Sequence, residues 1–159
     1  CEECPLQQIC LAYADGTQLQ YPNKAKAKER TVEEKTILII RDAELAALHK
    51  RPAKGLLAGM YEFPSMKGYH TAEEVKEYLA ENGLQVLRIQ PLEDAKHIFS
   101  HREWHMKGYL IRVAALEESA DPKMIFAEIS EVEKEYPIPA AFQAYAEQIQ
   151  MRLGQDKYR

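Results

Sequence analysis

The chain has no cysteine after Cys10, although it runs to 159 residues. A disulfide framework needs an even number of cysteines, and this chain has three near one end, which excludes such a framework for the remainder. The sequence also lacks an apolar run long enough to cross a membrane and the pattern of a secretory signal. We therefore expect a cytoplasmic protein with no membrane partner.

An excess of positive charge is missing too. The net charge of −4 argues against a protein that coats nucleic acid over its whole surface. The charges are nevertheless uneven: residues 24–54 carry nine basic and five acidic side chains, and residues 96–112 carry four basic side chains, three histidines and one acid. Residues 113–150 are acidic. Such a distribution is usual for solvated surface, and it also fits a one-sided surface that a polyanion recognises.

The three cysteines are present in the spacing C-x2-C-x5-C, at Cys1, Cys4 and Cys10. Thiolates this close along a chain can converge on one metal centre, either an iron–sulfur cluster or a zinc ion. Because both kinds of site take four ligands and a translated chain does not start with cysteine, we expect the site to be incomplete and the chain to be part of a longer protein. Three incidental thiols, or a lipid-anchored Cys1, are the alternatives.

The distribution of branched apolar residues divides the chain. We predict a cysteine loop over 1–10, a linker over 11–34 and one compact domain over 35–155. Within the domain, strands are predicted at 36–41, 45–51 and 84–90, and a helix with a capping box at 71–82. Two further strands, 97–98 and 104–115, flank the loop 99–103. In the longer one, one face carries Tyr109, Ile111 and Val113 and the other carries Trp104, Met106 and Leu110. A last helix starts near Pro137 and carries an apolar stripe formed by Phe142, Tyr145, Ile149 and Leu153. This order predicts an α+β fold, with a mixed sheet packed between helices.

The segment 55–64, followed by a capped helix that ends before Gly83, resembles the Nudix fold. Nudix hydrolases carry the pattern G-x5-E-x7-R-E-U-x-E-E-x-G-U, in which U is a bulky aliphatic residue and the helical glutamates hold magnesium. When the pattern is laid on Gly83, only Glu77 and Glu81 match its carboxylates. The remaining positions fall on Glu62, Gly68, Lys76 and Ala80. Too few carboxylates remain, so we expect the fold without the hydrolase.

The cysteine spacing followed by a Nudix-like domain without its metal ligands resembles the C-terminal part of the MutY family, the A/G-specific adenine DNA glycosylases. That family's pattern, C-x6-C-x2-C-x5-C, matches Cys1, Cys4 and Cys10 as its last three ligands. Further resemblance lies in the segments Lys50-Arg-Pro52, Leu56-Leu-Ala-Gly-Met-Tyr-Glu-Phe-Pro64 and Phe99-Ser-His101. The resemblance implies a 4Fe-4S cluster in the longer protein and none in this chain, together with a bacterial, nucleoid-associated location.

The resemblance implies that this domain recognises 8-oxoguanine opposite adenine during base-excision repair. Phe99, Ser100, His101 and Arg102 are the implied lesion and DNA contacts. The chemistry agrees, because oxidation turns the N7 acceptor of guanine into a donor and adds an acceptor at C8, so that a reader must offer both an acceptor and a donor. The alternative for this loop is that Phe99 belongs to the core, Ser100 is a turn residue and His101 is merely solvated.

The resemblance also implies that a helix-hairpin-helix domain of the same longer protein flips out the adenine and hydrolyses its N-glycosidic bond. The catalytic carboxylates would lie before Cys1, so we assign no catalytic residue to this chain. Two other functions stay open. One is a Nudix-type pyrophosphohydrolase that uses Glu73, Glu74, Glu77 and Glu81. The other is a protein-interaction domain that binds repair proteins through residues 11–35. The basic residues of this linker either lie along DNA or only keep the linker soluble and extended; they are Lys24, Lys26, Lys28 and Arg30.

Overall fold

The computed structural model describes residues 1–23, 29–43, 45–116 and 119–149. The chain forms two compact units, Cys1–Arg30 and Thr31–Arg159. In its described residues the first unit contains short helical segments: 3-10 helices at Gln7–Ile9 and Gln18–Gln20, and an α-helical turn, α1, at Leu11–Ala14. Of the described residues, none lies in a helix that is long and apolar enough to span a membrane.

The second unit is built on a seven-stranded sheet. Its strands are β1 Thr31–Asp42, β2 Leu45–Lys50, β3 Tyr61–Glu62, β4 Ser65–Lys67, β5 Val86–Ile98, β6 Arg102–Val113 and β7 Met124–Glu128. The main path runs in the order β3-β2-β1-β6-β5, while β4 pairs with β1 and β7 pairs with β2. Strands β1 and β6 are parallel and the other pairs are antiparallel, so the predicted mixed sheet is confirmed.

The two faces of the sheet carry separate apolar cores. On β6, Trp104 and Met106 point into one core, and Ile111 and Val113 point into the other. This alternation follows from the two-residue period of a strand and agrees with the predicted faces. The core around Trp104 is completed by Val132, Phe142 and Tyr145, and the core around Ile111 by Val75 and Leu79. The sheet therefore lies between helices.

Helix α2, Ala72–Glu81, has the predicted capping box. The Thr71 hydroxyl accepts from the Glu74 backbone N–H at 3.3 Å, and the Glu74 carboxylate accepts from the Thr71 N–H at 2.7 Å. These hydrogen bonds from Thr71 hold the pKa of Glu74 below its ordinary value. Gly83, at φ +80°, follows the C-terminal end, as a helix-terminating glycine does.

The β5–β6 hairpin is longer than predicted. The sequence predicts that the strand from Leu84 ends at Gln90. In the structure β5 continues through Pro91 to Ile98. Strand β5 is the last strand of the sheet's main path, where a proline can direct its missing N–H away from the ladder. The register shifts between Leu92 and Ala95, so a bulge absorbs the irregularity.

Three other parts of the fold also differ from the predictions. Strand β1 begins at Thr31, so the last residues of the predicted linker belong to the sheet. The acidic stretch forms β7 and then helix α3, Ile129–Glu135, neither of which was predicted. The predicted last helix is broken into a 3-10 turn Ala140–Phe142, helix α4 Gln143–Ala146 and a 3-10 turn Glu147–Ile149. Leu153, predicted on its apolar stripe, lies outside the described residues.

Candidate nucleic-acid interface

The segment Phe99–His101 forms the tip of the β5–β6 hairpin. The backbone N–H of Phe99 donates to the carbonyl of Arg102 at 2.8 Å, which closes the turn. The carbonyl of His101 accepts from the Thr31 N–H at 3.2 Å, so the start of β1 also holds the tip. Ser100 and His101 are exposed. The turn therefore presents a hydroxyl and an imidazole to solvent on a backbone fixed from two sides.

Aromatic rings support this tip from inside. The Phe99 ring is half-buried between His97 and Trp104, with centroid distances of 4.7 and 4.9 Å. Trp104 is 1% exposed and contacts Phe142 in the core, with ring centroids 5.8 Å apart. Edge-on aromatic pairs of this kind contribute beyond their buried area. Phe99 thus supports the loop from inside, while the other two residues of the tip, Ser100 and His101, are exposed to solvent.

Arg102 lies beside the tip and is held by a carboxylate. Its guanidinium donates to Glu33 Oε1 at 2.5 Å, and the indole N–H of Trp104 donates to Glu33 Oε2 at 3.0 Å. Glu33 on β1 therefore ties the buried ring to the half-exposed Arg102. No sequence pattern points to Glu33, because its partners are distant along the chain and meet only through the parallel pairing of β1 with β6. A DNA contact of Arg102 would share the guanidinium with this carboxylate.

A cation also covers the tryptophan. The ammonium of Lys35 lies 3.8 Å from the centroid of the Trp104 ring, which is cation–π geometry. Burial lowers the pKa of Lys35, while the carboxylates of Glu62 and Glu33 act in the opposite direction. Arg51 forms an ion pair with Glu62 and lies 5.6 Å from the same ring. The basic side chains around Trp104 are thus engaged with carboxylates and a ring.

The remaining histidines near the tip have partners within the domain. His105 Nε2 lies 2.7 Å from Glu103 Oε1, and Lys96 also pairs with Glu103. The hydrogen bond from Lys96, and after it that from His105, holds the pKa of Glu103 below its ordinary value. His97 contacts Phe99. Both flanking histidines therefore have structural contacts, while His101 is the exposed one.

The predicted metal ligands of the first unit do not form a binding site by themselves. Cys1 and Cys4 are exposed, and Cys10 is partly exposed. Among the residues that the structure describes, no three His, Cys, Asp or Glu side chains are grouped in a way that could hold a metal ion. A four-iron cluster takes four thiolates. The three cysteines as they lie here do not fit that group, and their role in a longer protein stays a prediction.

The helix that carries magnesium ligands in Nudix hydrolases has a different arrangement here. Three glutamates follow at four-residue spacing along the exposed side of α2: Glu73, Glu77 and Glu81. The carboxylate of Glu74 accepts from the Thr71 N–H in the capping box. The four-residue spacing places the carboxylates on one side of the helix, but within the described residues no three of them are grouped in a way that could hold a metal ion. The carboxylate set of the hydrolase alternative is therefore not assembled.

Part of the predicted linker lies outside the described residues. This part includes Lys24, Lys26 and Lys28. Their predicted contacts with DNA or with repair proteins stay predictions.

Comparison with known proteins supports both resemblances. A 115-residue part of the chain, 72% of its length, is 24% identical to the adenine DNA glycosylase of Buchnera aphidicola subsp. Schizaphis graminum. The match covers 32% of that relative, so the chain spans about a third of it. The predicted resemblance to these glycosylases is thereby confirmed.

Solved structures share the fold. The C-terminal domain of mouse MUTYH, solved in complex with human PCNA, is similar with a TM-score of 0.56 and 22% identity over 77% of this chain and 93% of that chain. A MutT NUDIX hydrolase from Burkholderia pseudomallei gives a TM-score of 0.54 and 18% identity over 76% of this chain and 99% of that chain. At these identities the likeness concerns the fold alone. The NUDIX domain family matches residues 36–148, and the chain belongs to that family.

Proposed function

We propose that this chain is the lesion-recognition part of an adenine DNA glycosylase, and that it reads 8-oxoguanine opposite adenine through the tip of the β5–β6 hairpin. The observation that carries the proposal is the presentation of Ser100 and His101, both exposed, on a turn closed by the Phe99 N–H. The similarity to a glycosylase and the unassembled Nudix carboxylates support a reading function over a hydrolytic one.

The physical argument rests on complementary hydrogen bonding. In 8-oxoguanine the N7–H donates and the C8 carbonyl accepts, whereas guanine has an acceptor at N7 and only a C–H at C8. The Ser100 hydroxyl can accept from N7–H, and the Ser100 N–H or the His101 ring can donate to the new carbonyl. A guanine in the same position has no C8 carbonyl, so the donor from the Ser100 N–H or the His101 ring would be left without an acceptor. Such a paired contact contributes about 1–3 kcal/mol of discrimination.

The aromatic support makes this discrimination possible. When a loop must become ordered on binding, the conformational entropy that it loses lowers the affinity. Here Phe99 is packed against Trp104, and the carbonyl of His101 is bonded to β1, so the tip is already ordered. The net charge of −4 means that the affinity for the DNA backbone must come from local groups such as Arg102 rather than from the whole surface.

The test uses a glycosylase that carries this chain as its C-terminal part. Adenine removal is measured in single-turnover assays on duplexes with 8-oxoguanine or guanine opposite adenine. The double variant Ser100→Ala/His101→Ala should lower the preference for 8-oxoguanine by about 5- to 100-fold, which corresponds to the loss of one paired contact. Ser130→Ala, at an exposed serine of α3, is the control and should keep the preference. An unchanged preference in the double variant would disprove the assignment of the tip.

A further inference from the structure

Three arginines lie side by side at the opposite end of the hairpin. Arg41 of β1 pairs in register with Arg112 of β6, and Arg112 pairs in register with Arg88 of β5. Neighbouring strands are about 4.8 Å apart, so the three Cα atoms fall within about 10 Å of each other. Far apart in the sequence, these residues are brought together by the sheet.

All three side chains emerge from the same face of the sheet. On β6, Leu110 packs against the core that contains Trp104, while Ile111 belongs to the other core, and Arg112 shares the face of Leu110 because side chains alternate. The structure has a groove of about 440 Å³ at this place. It is lined by the three arginines together with Ala43, Gln90 and Leu110.

This arrangement is unfavourable without a counter-charge. Like charges directly opposite each other on neighbouring strands destabilise a sheet. Within the described ranges, the ion pairs of the domain involve other residues and include none of the three arginines. The guanidinium of Arg41 donates to the carbonyl of Ala43 at 2.8 Å, which holds the side chain and leaves its charge in place.

We propose that this arginine groove, defined by Arg41, Arg88, Arg112 and Gln90, binds a phosphate oxyanion. Guanidinium groups donate two parallel hydrogen bonds to phosphate oxygens, and adjacent guanidiniums can contact one phosphate from several sides. The Gln90 amide adds a neutral donor at the rim. The phosphate belongs either to the DNA backbone or to a small phosphorylated compound, since both present the same oxyanion.

The groove is separate from the hairpin tip. Strand β6 begins at Arg102, beside the tip, and Arg112 is close to its other end. With a rise of about 3.3 Å per residue, the two sites are roughly 30 Å apart. Occupation of the groove therefore does not depend on lesion reading and is measured with undamaged ligands.

The first experiment uses inorganic phosphate as the probe. The melting temperature of the whole chain is measured in phosphate and in chloride at equal ionic strength, because a ligand that binds only the folded state raises it. Phosphate should raise the melting temperature of the wild type and of the control Lys76→Gln/Lys123→Gln, which loses two charges elsewhere. The variant Arg88→Gln/Arg112→Gln should lose most of this rise, and Arg88→Lys/Arg112→Lys, which keeps charge without the planar fork, should lose part of it.

The second experiment identifies the source of the phosphate. The affinity for a short undamaged DNA duplex is compared between the wild type and Arg88→Gln/Arg112→Gln at fixed salt. A loss of fivefold or more, with a smaller salt dependence, identifies the DNA backbone as the source. An unchanged DNA affinity, with phosphate binding lost, identifies a small phosphorylated compound. An equal effect of phosphate on the wild type and on Arg88→Gln/Arg112→Gln, or no effect on the wild type, would overturn the proposal.

Discussion

The two ends of the β5–β6 hairpin differ in how their charged side chains are paired. At the tip, Arg102 is bonded to Glu33, and Glu103 is bonded to Lys96 and His105. At the other end Arg41, Arg112 and Arg88 stand next to each other across three strands. The same sheet and the same pairing thus produce one compensated region and one region of like charge.

This difference separates structural charges from charges that are available to a ligand. Compensated side chains at the tip hold the backbone in place, and the groups that can read a base are Ser100 and His101. The arginines repel each other and so destabilise the isolated domain, and an anion that binds among them would reduce this repulsion. The comparison predicts that substitutions at the tip reduce stability, whereas substitutions in the arginine groove increase it slightly.

The largest effect should follow from removing the ring that supports the tip. Trp104 is 1% exposed and contacts both Phe99 and Phe142. Trp104→Ala should lower the free energy of unfolding by about 3–5 kcal/mol, measured by urea denaturation, because a buried aromatic ring leaves a cavity. Leu87→Ala, at a side chain 58% exposed near the arginine end, serves as the control. A loss below about 1.5 kcal/mol would contradict the supporting role of this ring.

A smaller loss is expected midway between the two ends. A Cβ atom on Gly108 would lie 2.2 Å from Cε1 of Tyr145, so the glycine is required by the close approach of this ring. Gly108→Ala should cost up to about 3 kcal/mol of unfolding free energy through overpacking. The same substitution in a Tyr145→Ala background should cost much less, as a double-mutant cycle would measure. Equal costs in both backgrounds would show that the ring is not the cause.

Alkaline pH tests the burial of the Tyr145 hydroxyl, which donates to the carbonyl of Met106 at 2.9 Å, without a large volume change. Burial raises the pKa of Tyr145 to about 12, from an ordinary value of 10. The folded state therefore favours the neutral phenol, and this contribution to stability is complete below pH 10 and disappears as the pH rises towards 12. The pH dependence of the unfolding free energy should be flatter in Tyr145→Phe than in the wild type, by on the order of 2 kcal/mol across this range. Parallel curves would refute the burial effect.

The smallest effect, with the opposite sign, belongs to the arginine end. Arg112 has an arginine opposite it on each side. In chloride buffer Arg112→Gln should raise the free energy of unfolding by about 0.2–1 kcal/mol, the size of one unfavourable cross-strand pair. The increase should shrink at high salt because screening weakens the repulsion. A decrease in stability at low salt would indicate that the arginines are compensated after all.

Much of the fold was predictable because its signals are local. The capping box at Thr71–Glu74 and the alternation along β6 depend on short-range geometry, and both agree with the structure. The extension of β5 through Pro91 was not predictable, because a proline is compatible with a strand only when the strand lies at an edge. Strand β7 was missed because its apolar run, residues 124–127, is only four residues long, and helix α3 was missed because acidic side chains interrupt its few apolar ones.

The candidate site, too, was only partly predictable from the sequence. The sequence and its family resemblance singled out Phe99–His101, and the structure shows two of these side chains exposed and the third packed inside. Glu33, which holds both Arg102 and Trp104, had no signal in the sequence. The role of the tip in reading a lesion stays a prediction until its variants are measured.

By itself, the sequence determined the capped helix and the loss of the Nudix carboxylates. By resemblance it also indicated the fold family and the residues of the proposed reader loop, since each of these features is recorded in residues close together along the chain. Only the tertiary structure decided which charges are neutralised and which stand together. The parallel pairing of β1 with β6 brings Glu33 to Arg102 at one end and Arg41 to Arg112 at the other. Long-range register is set by packing of the whole sheet, and no local pattern encodes it.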